Sequence, residues 1–210
     1  LRMSRGLGDV YKRQSYMPEA LAIKAGTDIL FSEFLQTGLI YIQTASSMIP
    51  AKVLGPDAGD HVLDMCAAPG SKTTHIAALM GNRGSIDAWD VYPHKVKLIK
   101  DNAKRLGISI IHTEVRDSVK PLPFLYETYD KVLLDAPCSG LGVLGHKVEL
   151  RWRRKESDLS VFPPLQKQLI EQAAKYTKTG GVLVYSTCTL NPDENEHITV
   201  SYTHLRAHET

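Results

Sequence analysis

From about residue 61 onward, short apolar runs alternate with glycine-containing turns and with stretches whose apolar residues recur every three or four positions. That alternation predicts an α/β fold, a parallel sheet with helices on both faces. Residues 61–66 (HVLDMC) read as a short buried strand, Ser71 to Met80 as a helix, and Ser85 to Asp90 as a second strand. Pro93 to Leu106 reads as a helix with proline in its first turn, and Ile108 to Thr113 as a third strand. Tyr129 to Asp135 predicts the fourth strand. Pro164 to Thr177 predicts a long helix broken by Gly180-Gly181, and Val182 to Thr187 the fifth strand. Ahead of them, a helix is expected over Glu19 to Phe34 and a short one near Ser46 to Val53.

The ends differ from this body. Residues 1–14 show no helical or strand periodicity, and the last ten residues, SYTHLRAHET, interrupt a helix that begins after Asn191-Pro192-Asp193-Glu194. Both are read as non-native tails. The expected plan is therefore a tail over 1–14, a lead-in over 15–60, a principal domain over 61–200 that stops short after strand five, and a tail over 201–210.

Composition narrows the classes. The 210 residues are 43% hydrophobic and 23% charged, which excludes collagen, coiled coil and wholesale disorder. No apolar run approaches the roughly 20 residues that cross a bilayer, and the opening LRMSRGLGDVYKRQ lacks the apolar segment of a secretory signal, so a cytoplasmic protein is expected, with no membrane partner. The three cysteines, Cys66, Cys138 and Cys188, are scattered and form no CxxC pair; no metal is expected, and a catalytic role is a better use for them than a disulfide framework. The net charge of +2 arises at the ends, because residues 15–200 hold 20 basic and 21 acidic residues. A nucleic-acid partner must then be argued from a local patch and not from bulk charge. A monomer is the default expectation.

In an open α/β sheet, ligands bind at the carboxyl ends of the strands near the point where strand order reverses. Asp64 and Cys66, Asp90, Asp135 to Ser139, and Thr187-Cys188 all fall at such ends. The loop DMCAAPGSKT, with Cys66, Ala67, Ala68, Pro69, Gly70, Ser71 and Lys72, joins a strand to a helix through small residues that let a ligand approach the backbone. A P-loop is excluded, since Ser71 stands where glycine must precede the lysine, and the GxGxxG pattern is absent. Asp90, 20 positions after Gly70, is placed to accept from ribose hydroxyls, which suits an adenosine ligand without pyrophosphate such as S-adenosylmethionine. A purely structural turn is the alternative. Asp117 stands where a carboxylate can accept from an adenine amino group, although an aspartate in a loop is more often a turn former.

Cys138 and Cys188 follow adjacent strands. Either alone reads as a buried small hydrophobe. Beside a methyl donor the pair has a specific chemistry: C5 of a pyrimidine becomes nucleophilic only after a thiolate adds at C6, and a second group must then help remove the C5 proton. Asp135 can hydrogen-bond the ring N3 as charge develops there. Further on, KVELRWRRK sets five basic residues around Trp152 just after the DAPCSG loop; Arg151, Arg153 and Arg154 are candidates for RNA backbone contacts, against the plainer reading of a solvated charged loop.

DMCAAPGSKTTH, DAPCSG and YSTCTLNPDENE resemble the motifs of the NOL1/NOP2/Sun family of RNA cytosine-5 methyltransferases, over residues 38–198. The stretch IDAWDVYPHKVKLIKDNAKRLG is most similar to the bacterial branch that methylates small-subunit (16S) ribosomal RNA; a sister branch sharing AAPGSKTT and STCTLN is the close rival. The resemblance implies a Rossmann-like S-adenosylmethionine-dependent methyltransferase. It also implies that Cys188 is the C6 nucleophile and that Cys138 assists product release. Cys66 to Lys72, Asp90, Asp117 and Asp135 would contact the cofactor. The residues alone do not assign the two thiol roles. Two other readings stay open at this point, an N-methyltransferase that needs no thiol and a non-catalytic RNA-binding ribosome-assembly factor.

Overall fold

The structure is a computed structural model that describes residues 11–14, 17–23, 32–145, 148–153 and 155–207. The chain divides into two compact units, residues 1–42 and 43–210.

In the first unit, β1 (Tyr11–Gln14) pairs antiparallel with β2 (Met17–Ile23), and α1 (Glu33–Gln36) is a single turn whose N-cap Ser32 accepts from the Leu35 amide. This corrects two expectations. Tyr11–Gln14, read as lacking strand periodicity, is a strand. The helix predicted from Glu19 is a strand through Ile23 and helical only over Glu33–Gln36, while residues 24–31 lie outside the described residues. Ala20, Leu21 and Ala22 have good helix propensity, but pairing with β1 outweighs a preference of a few tenths of a kcal/mol per residue.

In the second unit, α2 (Ala45–Leu54) starts at Thr44, whose hydroxyl accepts from the Ser47 amide, and stops at Gly55 in the left-handed region. Then follow β3 (His61–Asp64), α3 (Ser71–Leu79), β4 (Ser85–Asp90), α4 (Pro93–Arg105) and β5 (Ile111–Val115). The chain returns to the middle of the sheet as β6 (Tyr129–Asp135), and α5 (Leu150–Arg153) and α6 (Phe162–Tyr176) lead to β7 (Thr177–Ser186) and α7 (Glu196–Ala207). The strands pair in parallel in the order β5-β4-β3-β6-β7. Strand order reverses between β3 and β6, so the ends of these two strands flank the crevice in which a doubly wound sheet binds its ligand.

Side chains sort by strand alternation even where the sequence is continuously apolar. Val132 and Leu134 join Leu63, Trp89, Leu169 and Tyr176 on one face, while Leu133 joins Val62, Ile76, Met80 and Ile86 on the other. α4 contributes Val96, Ile99 and Ala103, spaced three and four apart.

Three boundaries move. The third strand lies at Ile111–Val115, later than expected. The break expected at Gly180-Gly181 is instead an excursion within β7: the helix has already ended at Tyr176, and the register jumps from Tyr129 opposite Thr177 to Lys131 opposite Val182. The interruption expected at Ser201 is absent, since α7 runs through it. Among the described residues no helix is long and apolar enough to cross a membrane, and no group of three or more His, Cys, Asp or Glu could hold a metal ion.

Candidate active site

The β3–α3 loop folds tightly on itself and onto its neighbours. Ala67 N–H donates to the Trp89 carbonyl at 2.8 Å and Gly70 N–H to the Ala67 carbonyl at 2.7 Å, while the buried Ser118 hydroxyl donates to the Met65 carbonyl at 2.7 Å. Gly70 caps α3 at φ 99°, and a Cβ there would lie 3.2 Å from the Ile99 Cα, so both conformation and close packing favour glycine.

Asp64, fully buried at the end of β3, accepts from the Thr73 hydroxyl at 2.7 Å through Oδ2, and its Oδ1 has no hydrogen-bond partner. Burial pushes its pKa up from 3.8 to about 7, with the charge of Asp135 adding to the rise and Thr73 and Lys72 opposing it. Burial also pushes the Cys66 thiol up, and Asp64, Asp90 and Asp135 push it further in that order. Asp90 ends β4, where its Oδ1 accepts from the Tyr92 amide at 3.0 Å. Val91 and Tyr92, beside it, are exposed.

Lys72 pairs with Asp135. Its Nζ donates to Asp135 Oδ2 at 2.7 Å, and Ser186 Oγ donates to Asp135 Oδ1 at 2.7 Å, so the start of α3, the end of β6 and the end of β7 meet at one carboxylate. Asp117 is the exception. Its Oδ1 accepts from the Val119 amide at 3.2 Å and its Oδ2 stands 3.8 Å from Lys120 Nζ, the arrangement of a turn former at the rim.

These residues pass a chemical test for S-adenosylmethionine. The carboxylates Asp90 and Asp135 act on the Cys66 position together with Asp64, which ionises only near pH 7, while Lys72 pairs with Asp135 and Lys95 acts in the opposite sense. Carboxylate acceptors at the ends of adjacent strands suit the hydroxyls and cationic groups of such a ligand. The exposed apolar pair Val91 and Tyr92 next to Asp90 adds a face for a planar base.

The two other thiols face each other. Cys138 Sγ lies 3.1 Å from Cys188 Sγ and accepts from the Cys188 amide at 3.3 Å. Cys138 is buried and Cys188 exposed. The Cys138 thiol is pushed up, first by hydrogen bonding with Cys188 and then by burial, so it holds its proton. An incoming base can reach the exposed thiol. The loops are tied by Gly142 N–H donating to the Cys188 carbonyl at 3.0 Å and by the Ser139 and Thr189 hydroxyls at 2.7 Å. A Cβ on Gly140 would lie 3.1 Å from Leu150 Cδ1 and 4.0 Å from Cys188 Sγ, which sets the start of α5 beside the thiols. Arg151 and Trp152 are exposed there, Trp152 at 87%. Arg153 lies in α5 by its backbone, and Arg154 is outside the described residues.

A family model described as 16S rRNA methyltransferase RsmB/F matches residues 51–210. The chain belongs to the RsmB/F methyltransferase family. It is similar to the Bacillus subtilis (strain 168) "Probable ribosomal RNA small subunit methyltransferase B", with 44% identity over 181 residues, 86% of this chain and 40% of that protein. It is also similar to the Mus musculus tRNA (cytosine(72)-C(5))-methyltransferase NSUN6, at 43% identity over 75% of this chain and 35% of that protein. The solved NSun6 from Pyrococcus horikoshii with SFG, an S-adenosylmethionine analogue, superposes at a TM-score of 0.77 with 39% identity, covering 86% of this chain and 46% of that one. The chain thus spans less than half the length of these relatives. The family model joins the B and F branches and does not separate them.

Three parts of the site went unassigned in the sequence: the Lys72–Asp135 pair, the Ser186 contact, and the polar residues Gln166, Thr189 and Glu194 behind the thiols. Glu194 sits in the quoted YSTCTLNPDENE motif, but Asn-Pro-Asp-Glu reads as a local helix start and so gives no hint of a distant partner.

Proposed function

We propose that this chain is the catalytic portion of a cytoplasmic RNA cytosine-5 methyltransferase that acts on small-subunit ribosomal RNA. The observation that carries the reading is the facing pair of thiols, one exposed and one buried, at the ends of adjacent strands and beside a loop that suits S-adenosylmethionine. Cys66 to Lys72, Asp90 and Asp135 would hold that cofactor, with Asp117 at the rim. Bound there, it supplies an electrophilic methyl group.

In this reading the exposed Cys188 thiol gives its proton to solvent, its Sγ bonds as thiolate to C6 of a flipped-out cytosine, and the C5–C6 π electrons move toward C5, which becomes nucleophilic. Asp135 contacts N3 as charge develops on the ring, and Lys72 supplies the proton that the contact needs. After C5 is methylated, Cys188 is a thioether and no longer raises the Cys138 thiol, so Cys138 gives its own proton to solvent and takes the one on C5. The C5–C6 double bond then reforms, the N3 proton returns to Lys72, and the Cys188–C6 bond breaks, which returns the Cys188 thiolate. Arg151, Arg153 and Arg154 hold the RNA backbone near Trp152. A monomer suffices for every step.

RNA carrying tritium at cytosine C5 tests the reaction. Methylation at C5 must expel the label into water, whereas methylation at an exocyclic nitrogen leaves it in place. Tritium release that requires S-adenosylmethionine and small-subunit ribosomal RNA supports the proposal. Release with transfer RNA alone would move the substrate to that class, and methyl transfer without release would overturn the C5 chemistry. An N-methyltransferase has no use for two facing thiols, and a binding factor has no use for an exposed one.

A further inference from the structure

The loops that carry Cys138 and Cys188 meet at a buried acid. Glu194 has no exposed surface. Its Oε2 accepts from the Ser139 amide at 2.8 Å and from Gln166 Nε2 at 3.2 Å, and its Oε1 accepts from Asn191 Nδ2 at 3.2 Å. Gln166 Nε2 also donates to the Pro137 carbonyl at 2.9 Å, and Tyr185 donates its hydroxyl proton to the Glu194 carbonyl at 2.7 Å. Pro137 and Ser139 bracket Cys138. Asn191 follows Cys188 by three residues, and its amide donates to the Thr189 hydroxyl at 3.3 Å.

Burying an acidic side chain is costly, and a turn between β7 and α7 does not need one, because Asn191 Oδ1 already caps the Asp193 amide at 3.2 Å. What the acid adds is reach. Its oxygens join Ser139, next to one thiol and 55 positions back in sequence, to Asn191, beyond the other. The chemistry has a use for that tie: attack at C6 and proton removal at C5 act on adjacent atoms of one ring, so both sulfurs must stay within a few ångströms of a single C–C bond. A misplacement of about 1 Å costs roughly 100-fold in such a site.

We propose that Glu194 is a positioning residue, the buried acceptor that locks the Cys138 loop to the Cys188 loop and sets the separation of the two sulfurs. The inference rests on the thiol reaction proposed above, but its structural half can be read without that reaction.

Phenylarsine oxide is the probe. Its arsenic binds two close thiols at once, forming two As–S bonds while the oxide leaves as water with both thiol protons, and no electron changes hands. The full chain should take up one equivalent, and Cys138→Ala should abolish uptake. Glu194→Gln places an NH2 group against a donor. It should weaken arsenical binding at least tenfold and lower kcat for tritium release by roughly 10- to 100-fold, with the KM for RNA unchanged. Glu194→Gln/Asn191→Asp puts the acceptor on the other side of the same contact and keeps a good cap at residue 191; both quantities should recover to within about threefold.

Parent-like arsenical binding and kcat in Glu194→Gln would overturn the proposal, as would a loss that the second substitution does not recover. Where Glu194→Gln does not fold, Thr189→Val removes the hydroxyl contacts with Ser139 and with the Asn191 amide and leaves Glu194 in place; it should lower kcat several-fold at constant KM, and an unchanged kcat would overturn the clamp. If arsenical binding responds as stated while the parent chain releases no tritium, the clamp stands and the proposed function fails.

Discussion

Asp64→Asn should stabilise the protein at alkaline pH and not at acid pH. Asp64 is fully buried, with one hydrogen bond from Thr73 and one oxygen without a partner, and its pKa is pushed from 3.8 to about 7. In the unfolded chain the proton leaves near 3.8, and in the folded protein near 7. Between those values only the folded state holds it. The stabilisation is therefore fully present below about pH 3.8 and is lost as pH rises to about 7. At 1.36 kcal/mol per pH unit, the loss reaches about 4 kcal/mol above pH 7. Asparagine cannot ionise, and its Oδ1 still accepts from Thr73. Its buried NH2 lacks a partner, which returns roughly 1–3 kcal/mol. The variant should thus be more stable than the parent by about 1–3 kcal/mol at pH 8, or about 2–12 °C in Tm for a domain of this size, and less stable near pH 4. Urea or thermal unfolding of both proteins from pH 4 to 8.5 reads the difference directly, because all other groups are common to the two. A difference that is flat or shrinks as pH rises would refute the argument.

Lys72→Met leaves Asp135 with Ser186 alone and should reduce tritium release about 100-fold; steady-state kinetics within twofold of the parent would contradict the role of the pair. Gly142→Ala drives a Cβ to 2.9 Å from the Cys188 carbonyl oxygen and should cost roughly 1–3 kcal/mol in thermal unfolding, whereas Gly145→Ala, with nothing within 4 Å, should be near neutral. Arg151→Glu should reduce the slope of log K against log salt for RNA binding by about one. An unchanged slope would remove Arg151 from the RNA surface.

The sheet was legible because each strand is bounded by its own punctuation: Gly70 before α3, Pro93 at the first turn of α4, and Gly55 after α2. The strand-end rule then collected Asp64, Cys66, Asp90, Asp135, Cys138 and Cys188 at one edge without any contact being known. Misreadings arose where pairing outweighs local preference. Residues 20–23 look helical until β1 is laid beside them, and Gly180-Gly181 looks like a helix stop although it lies in a strand excursion. The ties that hold the site were illegible for another reason. Lys72 and Asp135 are 63 residues apart, and Glu194 reaches 55 residues back to Ser139 and 28 to Gln166, distances over which periodicity carries no signal.

The most direct test of the thiol mechanism uses the Cys138→Ala protein, small-subunit ribosomal RNA and S-adenosylmethionine, with denaturing electrophoresis as the readout. With the Cys138 thiol gone, a protein–RNA adduct should survive denaturation, and Cys138→Ala/Cys188→Ala should form none. An adduct that accumulates in Cys188→Ala and not in Cys138→Ala would reverse the two roles, and no adduct in either, from a parent that releases tritium, would contradict covalent catalysis by this pair.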